Sequence, residues 1–159
     1  MNEKYGCINT RGQLVVPCEF DRVFLNYFRD YDFEKGMMKV KMGDKWGYIN
    51  TSSSIVIPCQ FDSNGWFFEG LASVKMGDKW GYVNTSGSIV IPCQFDSDGR
   101  FSEGLAGVKM GDKWGYINTS GLVVIPYQFD VAYSFGEGLA KVTINGKEHL
   151  IDKTGNIVY

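Results

Sequence analysis

The string MGDKWGY occupies residues 42–48, and the same seven letters return at 76–82 and 110–116. Each copy starts 34 residues after the last, at Met42, Met76 and Met110. Residues 40–73 and 74–107 differ at only six of 34 positions, so repetition decides the architecture. Pro58, Pro92 and Pro126 keep the step, as do Phe61-Asp62, Phe95-Asp96 and Phe129-Asp130. "EGLA" opens at Glu69, Glu103 and Glu137. The units divide as 1–39 with an insertion at 22–32, then 40–73, 74–107, 108–141 and a terminal 142–159. Tyr5 stands at the first tryptophan position, and Glu148-His149-Leu150 replaces the last Trp-Gly-Tyr.

Strands follow from the local pattern. "LASVKM" from Leu71 alternates, Gly77-Asp78 suits a two-residue primed turn, and "KWGYVN" returns from Lys79. "NTSG" from Asn84 suits a type I turn with glycine at the left-handed position of a G1 bulge, with Ser53 a less comfortable substitute. Pro92, having no N–H, is expected to end the third strand, and a connection of roughly a dozen residues follows. Taking Gly77-Asp78 as the turn sets Met76 against Lys79, Lys75 against Trp80, Val74 against Gly81, Ser73 against Tyr82 and Ala72 against Val83. One face then carries Met76, Val74, Ala72, Val83 and, from the third strand, Val90; the other carries Trp80 and Tyr82 beside Ile89 and Ile91.

Both faces are apolar, so each sheet needs a neighbour on each side. Trp80 is expected to pack between units with the Lys75 stem across it, and Gly81 to make room for Val74 or for the next unit's backbone. The chain holds five copies of the second and third strands and four of the first, and its last unit is complete in itself. The expected fold is all-β: three-stranded antiparallel meanders in an open, curved, solenoid-like array, with a small β-propeller as the alternative.

The pattern "KWGYIN…G…VIP…FD…F.EGLA.V" resembles the WG (KWG) repeats of bacterial proteins, over nearly the whole chain. That resemblance implies a tandem β array whose signature is Trp46-Gly47-Tyr48, Trp80-Gly81-Tyr82 and Trp114-Gly115-Tyr116. It implies interaction modules, often appended to other domains or carried by surface and envelope proteins, with no shared catalytic chemistry. The degenerate first and last copies fit terminal caps whose outer faces meet water.

Composition narrows the function classes. With 44% hydrophobic, 21% charged and 15% aromatic residues the chain is globular rather than disordered. A net charge of −2 with interspersed signs gives no footprint for nucleic acid. No apolar run is long enough for membrane insertion, and "MNEKYGCINT" lacks the pattern of a signal peptide, so a full-length chain is expected in the cytoplasm. Cys18, Cys59 and Cys93 share one repeat position and Cys7 takes a tyrosine position, which predicts reduced, mostly buried thiols. His149 is the single histidine, and no GxSxG, HExxH or P-loop motif occurs, so no enzyme, cofactor or metal centre is expected. Asp96-Ser97-Asp98-Gly99 with Glu103 is faintly similar to a calcium loop, but Asp130-Val131-Ala132-Tyr133 at the equivalent place could not serve, and plain Asx-turns are expected.

Where copies disagree, the scaffold has no say. Trp66 aligns with Arg100 and Ser134, and Phe68 with Ser102 and Gly136, which predicts exposed positions able to anchor a partner. The insertion adds Phe24, Tyr27 and Tyr31 to the same connection, as an N-terminal plug or as recognition surface. The expected function is a non-enzymatic scaffold that presents its connections to a protein or peptide. A carbohydrate or cell-envelope binding module using exposed aromatics is the runner-up.

Overall fold

The computed structural model describes residues 3–24, 36–50, 52 and 54–159, and every regular element among them is a β-strand. The first sheet pairs β1 (Tyr5–Ile8) with β2 (Leu14–Phe20). The second runs β3 (Arg22–Phe24), β4 (Met38–Met42), β5 (Lys45–Ile49), β6 (Ile55–Phe61) in antiparallel order. The third repeats this with β7 (Ser63–Phe68), β8 (Leu71–Met76), β9 (Lys79–Asn84) and β10 (Ile89–Phe95). The fourth holds β11 (Leu105–Met110), β12 (Lys113–Asn118) and β13 (Val123–Phe129). The fifth holds β14 (Val131–Ala132), β15 (Leu139–Ile144) and β16 (Lys147–Asp152). The expected meander is there, but the connection is more than a loop. It supplies β3, β7 and β14, so the second and third sheets have four strands.

The hairpin register is as the turn dictates, Met76 through Ala72 pairing with Lys79 through Val83. Gly43, Gly77 and Gly111 have φ of +61°, +61° and +62° while the aspartates after them do not, the pattern of a type II′ turn. Asn84 Oδ1 accepts from the amides of Ser86 (3.1 Å) and Ser88 (3.0 Å), and Gly87 sits at φ +90°, as the G1 bulge requires. Ser53 lies outside the described residues.

The third strand departs from expectation. β10 runs through Pro92 to Phe95, and Ile89 rather than Val90 pairs with Val83. Two bulges absorb the proline, and the ladder resumes at Phe95 opposite Trp80. Gly81 makes this possible: a Cβ there would lie 2.6 Å from the Cys93 nitrogen and 2.7 Å from the Pro92 carbonyl carbon. The glycine thus makes room for the bulged strand of its own sheet, not for Val74 or the next unit. Within the connection, Glu69-Gly70, Glu103-Gly104 and Glu137-Gly138 all have positive φ, the pattern of type I′ turns. Glutamate is a costly choice there. The Glu69 carboxylate accepts from the Gly104 amide at 2.9 Å, and that of Glu103 from the Gly138 amide at 3.0 Å, so each strained turn is tied to the next.

Four apolar cores hold five sheets. Val16 and Phe20 meet Val40 and Ile49 between the first and second sheets. Tyr48, Ile57 and Phe61 of the second meet Phe67, Ala72, Val74 and Val83 of the third. Tyr82, Ile91 and Phe95 then meet Phe101, Ala106, Val108 and Ile117, and Tyr116, Ile125 and Phe129 meet Phe135, Ala140, Val142 and Ile151. Among the described residues no core joins the fifth sheet to the first, so the array is open. Its ends differ from its middle: Ile8, at the position of fully buried Val83, is 66% exposed. At the far end Lys141 and Glu148 pair at 2.9 Å where the third sheet has Ser73 and Trp80.

The interlayer residue is the tyrosine. Tyr82 is 1% exposed, its ring meets Phe101 edge-on at 5.0 Å, and its hydroxyl donates to the Gly99 carbonyl at 2.6 Å. Tyr116 repeats this with Phe135 and the Tyr133 carbonyl (2.7 Å), and Tyr48 with Phe67 and the Gly65 carbonyl. Trp80 and Trp114 lie only partly buried at the margins of these cores. The anticipated cation–π contact exists, with Lys75 Nζ 6.0 Å from the Trp80 ring. The expectation of mostly buried thiols fails for Cys18, which is exposed; Cys7, Cys59 and Cys93 are half-buried, and all four are free.

A polar clamp crosses each junction. Asp62 Oδ1 accepts from Lys45 of the second sheet, and its Oδ2 accepts from the Gly77 amide of the third at 2.7 Å. Asp21, Asp96 and Asp130 do the same with Lys4 and Gly43, Lys79 and Gly111, and Lys113 and Asn145. Asp96 is therefore a bridge rather than the expected Asx-turn, and both its oxygens are taken. Among the described residues no three His, Cys, Asp or Glu side chains converge as a metal site.

Tyr82→Ala removes a fully buried ring and should cost about 3–5 kcal/mol in urea unfolding, whereas Trp80→Ala, at the margin, should cost about 1–2 kcal/mol. The lysine ammonium and then the turn amide hold Asp21, Asp62, Asp96 and Asp130 below the usual carboxylate range. A depressed folded pKa contributes stability that is complete above the unfolded value of about 3.9 and lost as pH falls through the folded one. The urea midpoint should therefore drop below about pH 4, and Asp62→Asn with Asp96→Asn should flatten that drop.

Candidate interaction rim

One long edge of the array is built from the connections: β3, β7, the 97–104 segment and β14. Each of these strands pairs with the first strand of a meander, so its side chains lie over the seam between successive sheets. Phe24, Trp66, Phe68 and Arg100 all fall on this edge. Tyr27 and Tyr31 lie outside the described residues.

The aromatic residues do not stand free. Lys39 on β4 sends its ammonium between two indoles, 5.2 Å from the Trp46 centroid and 5.0 Å from that of Trp66. Lys41 stands 5.6 Å from Trp46, and the Phe24 ring leans on the same indole at 5.3 Å. Lys39 Nζ also donates to the Asn64 carbonyl at 2.8 Å. Burial between the rings pulls the Lys39 pKa below its ordinary value. Trp66, expected to be exposed, is half-buried for this reason, and Phe68 is half-buried under the Arg100 guanidinium, 5.1 Å from its ring. Arg100 is exposed as expected.

Two chains of contact result: Phe24–Trp46–Lys39–Trp66 and Phe68–Arg100. Among the described residues the cluster exists once, because Lys39 is replaced by Ser73 and Gly107, and Trp66 by Arg100 and Ser134, in the next two units. In the fifth sheet Lys141 returns, 4.8 Å over Tyr133 and paired with Glu148. Sequence reasoning singles out Trp66, Phe68 and Arg100 because the copies disagree there, and Phe24 as part of the insertion. It missed Lys39 and Asn64. Comparing the units also singles out Lys39, a lysine in place of serine, but not its indole partners in two sheets. Asn64 is 6% exposed; its amide reaches the Gly47 carbonyl at 3.3 Å while Oδ1 has no partner among the described residues.

The rim can hold a ligand by stacking and by charge, and little else is poised. Burial, the largest cause in each case, pushes the thiols of Cys7, Cys59 and Cys93 up, away from the reactive thiolate. It also raises the hydroxyls of Tyr48, Tyr82 and Tyr116. Among the described residues no helix is long and apolar enough to cross a membrane.

Comparison with known proteins agrees with this architecture. No curated protein matches the chain. Among solved structures, a plant lectin from Cicer arietinum with two metal binding sites aligns over 76% of this chain and 83% of its own. Identity is 10% and the TM-score 0.33, too low to relate the two. The model of the WG containing repeat matches four times in tandem, over residues 5–46, 46–80, 80–114 and 114–147. Each match begins or ends on the tryptophan position of the motif, at Trp46, Trp80 and Trp114. The chain belongs to the WG repeat family.

Proposed function

We propose that this array is a non-enzymatic scaffold that binds a protein or peptide along the rim built from its connections. The observation that supports this reading most is the contrast between joint and rim. Tyr48, Tyr82 and Tyr116 make one joint three times, whereas the rim holds Trp66, Arg100 and Ser134 at one position and Phe68, Ser102 and Gly136 at another. A scaffold that holds its joints constant is free to vary its edge. Trp, Phe and Arg are also the side chains that most often anchor protein interfaces. Four free thiols, one of them exposed, suit a reducing cytoplasmic setting.

A carbohydrate or cell-envelope module would want an open indole face for the sugar ring. Trp46 and Trp66 instead turn their faces to Lys39, which makes this the weaker reading.

Peptides selected from a random display library against the wild-type chain provide the test. The triple variant Trp66→Ala, Phe68→Ala, Arg100→Ala should bind them at least about tenfold more weakly, in line with the loss of hot-spot residues, with its melting temperature kept within a few degrees. Peptides that bind the variant as well as the wild type would sink the proposal. So would glycan-array or peptidoglycan binding that the triple variant abolishes.

A further inference from the structure

Charge along the rim is uneven. In the second sheet Arg22, Lys41 and Trp46 stand opposite one another on β3, β4 and β5, with Phe24 and Lys39 as neighbouring partners on the same face. The corresponding rows are Ser63, Lys75 and Trp80 in the third sheet, and Ser97, Lys109 and Trp114 in the fourth. Each of these has one lysine, and Ser73 or Gly107 takes the place of Lys39. In the fifth sheet the row reads Val131, Thr143 and Glu148, and Glu148 neutralises Lys141 at 2.9 Å. The second sheet thus gathers three cations where the third and fourth hold one. They surround an indole where the fifth sheet has a carboxylate.

Among the described residues none of these three cations is paired with a carboxylate. Asp21 adjoins Arg22 in the chain, but its oxygens accept from Lys4 at 2.7 Å and from the Gly43 amide at 2.6 Å. The Lys39 ammonium lies between two indoles and donates to the Asn64 carbonyl. Arg22 is exposed and directly faces half-buried Lys41. Like charges opposite each other on adjacent strands repel. Serine at the Arg22 position of the next two units means that the fold has no need of that repulsion. A carboxylate bound between the two side chains would relieve it.

Resting on the rim reading above, we infer that Arg22 and Lys41 anchor a carboxylate side chain, and that the rim's partner is an acidic peptide. The Arg22 guanidinium can give a carboxylate two parallel N–H bonds, and Lys41 adds a second positive charge across from it. Phe24 and Trp46, 5.3 Å apart, supply apolar surface for the stem of an Asp or Glu. Arg22 also borders a recess of about 290 Å³ with Tyr5, Val23 and Phe24, which leaves room for a peptide side chain. The cations meet at one place rather than along a stripe, and the chain carries a net charge of −2. A nucleic-acid backbone calls for a basic stripe, and an anionic lipid surface for about four to eight clustered basic residues. A single acidic side chain on a peptide needs neither.

Peptides selected from the random display library against the wild-type chain should be enriched in Asp and Glu. Fluorescence anisotropy should show their affinity falling at least about tenfold in the double variant Arg22→Ser, Lys41→Thr, as when charges that meet a partner's carboxylate are removed. The chain's own copies carry these residues, as Ser63, Ser97 and Thr143, so the melting temperature should stay near wild type. Raising salt from about 50 to about 300 mM should weaken wild-type binding several-fold and the variant's much less. Selected peptides without an acidic excess, or peptides that the double variant binds as tightly as the wild type, overturn the inference. So does binding of single-stranded DNA or phosphatidylserine vesicles, in place of peptide, that the double variant abolishes. The triple rim variant reports on the scaffold reading and the double variant on this anchor. A peptide lost from the first but kept by the second rejects the acidic anchor alone.

Discussion

A buried tyrosine that must satisfy its own hydroxyl is the constraint on which this molecule depends. The phenol ring supplies apolar area to the seam between two sheets, and its polar tip then needs an acceptor there. Tyr82 finds the Gly99 carbonyl and Tyr116 the Tyr133 carbonyl, each seventeen residues further along the chain. That requirement fixes how far, and at what level, the next connection must cross the preceding sheet. Once it is met, the ring edge of Phe101 or Phe135 closes the seam. The preceding glycine is needed for a second reason, because the bulged Ile91–Cys93 backbone passes where its side chain would be. Within Trp-Gly-Tyr, the tryptophan that names the repeat is the least buried of the three.

Electrostatics reinforce the same joint from its two ends. At one end the aspartate after each phenylalanine bridges a lysine of one sheet and a turn amide of the next. At the other, Glu69 and Glu103 accept a strained positive φ and reach the following turn. These contacts are exposed and individually modest, but they are placed by the backbone and recur at successive junctions. Because the joint is made of positions the units share, its repetition leaves the connections free to diverge. Lys39 and Trp66 show how far that can go: a lysine in place of serine or glycine and a tryptophan in place of arginine or serine bring two indoles around one ammonium.

Much of this was legible in the letters. Period-two alternation and Gly77-Asp78 set the β8–β9 register residue by residue, and Asn84 with Gly87 marked the bulged turn. Two apolar faces per sheet implied stacking. What escaped was whatever depends on a partner distant in sequence. Pro92 looked like a strand terminus because its missing N–H is a local fact, whereas the bulge that tolerates it requires Gly81 on another strand. Asp96 looked like an Asx-turn, yet its partners lie seventeen residues before and fifteen after. Glu103 at positive φ offends local propensity, and only the next turn explains it. Trp66 reads as exposed because its counterparts are Arg100 and Ser134, while the lysine that covers it comes from another sheet.

The molecule is a stack of nearest-neighbour joints with two free ends, and native-state hydrogen exchange resolved by strand tests this most directly. Stability in such an array is a sum of local and neighbouring terms, so it should be graded along the chain. The amides of β8, β9 and β12, in sheets covered on both faces, should exchange slowest. Those of β1 and β2 should exchange fastest, with β15 and β16 in between. Equal protection from β1 through β16, with one opening free energy for the whole chain, would mean that the ends meet and the array closes. That would contradict the account.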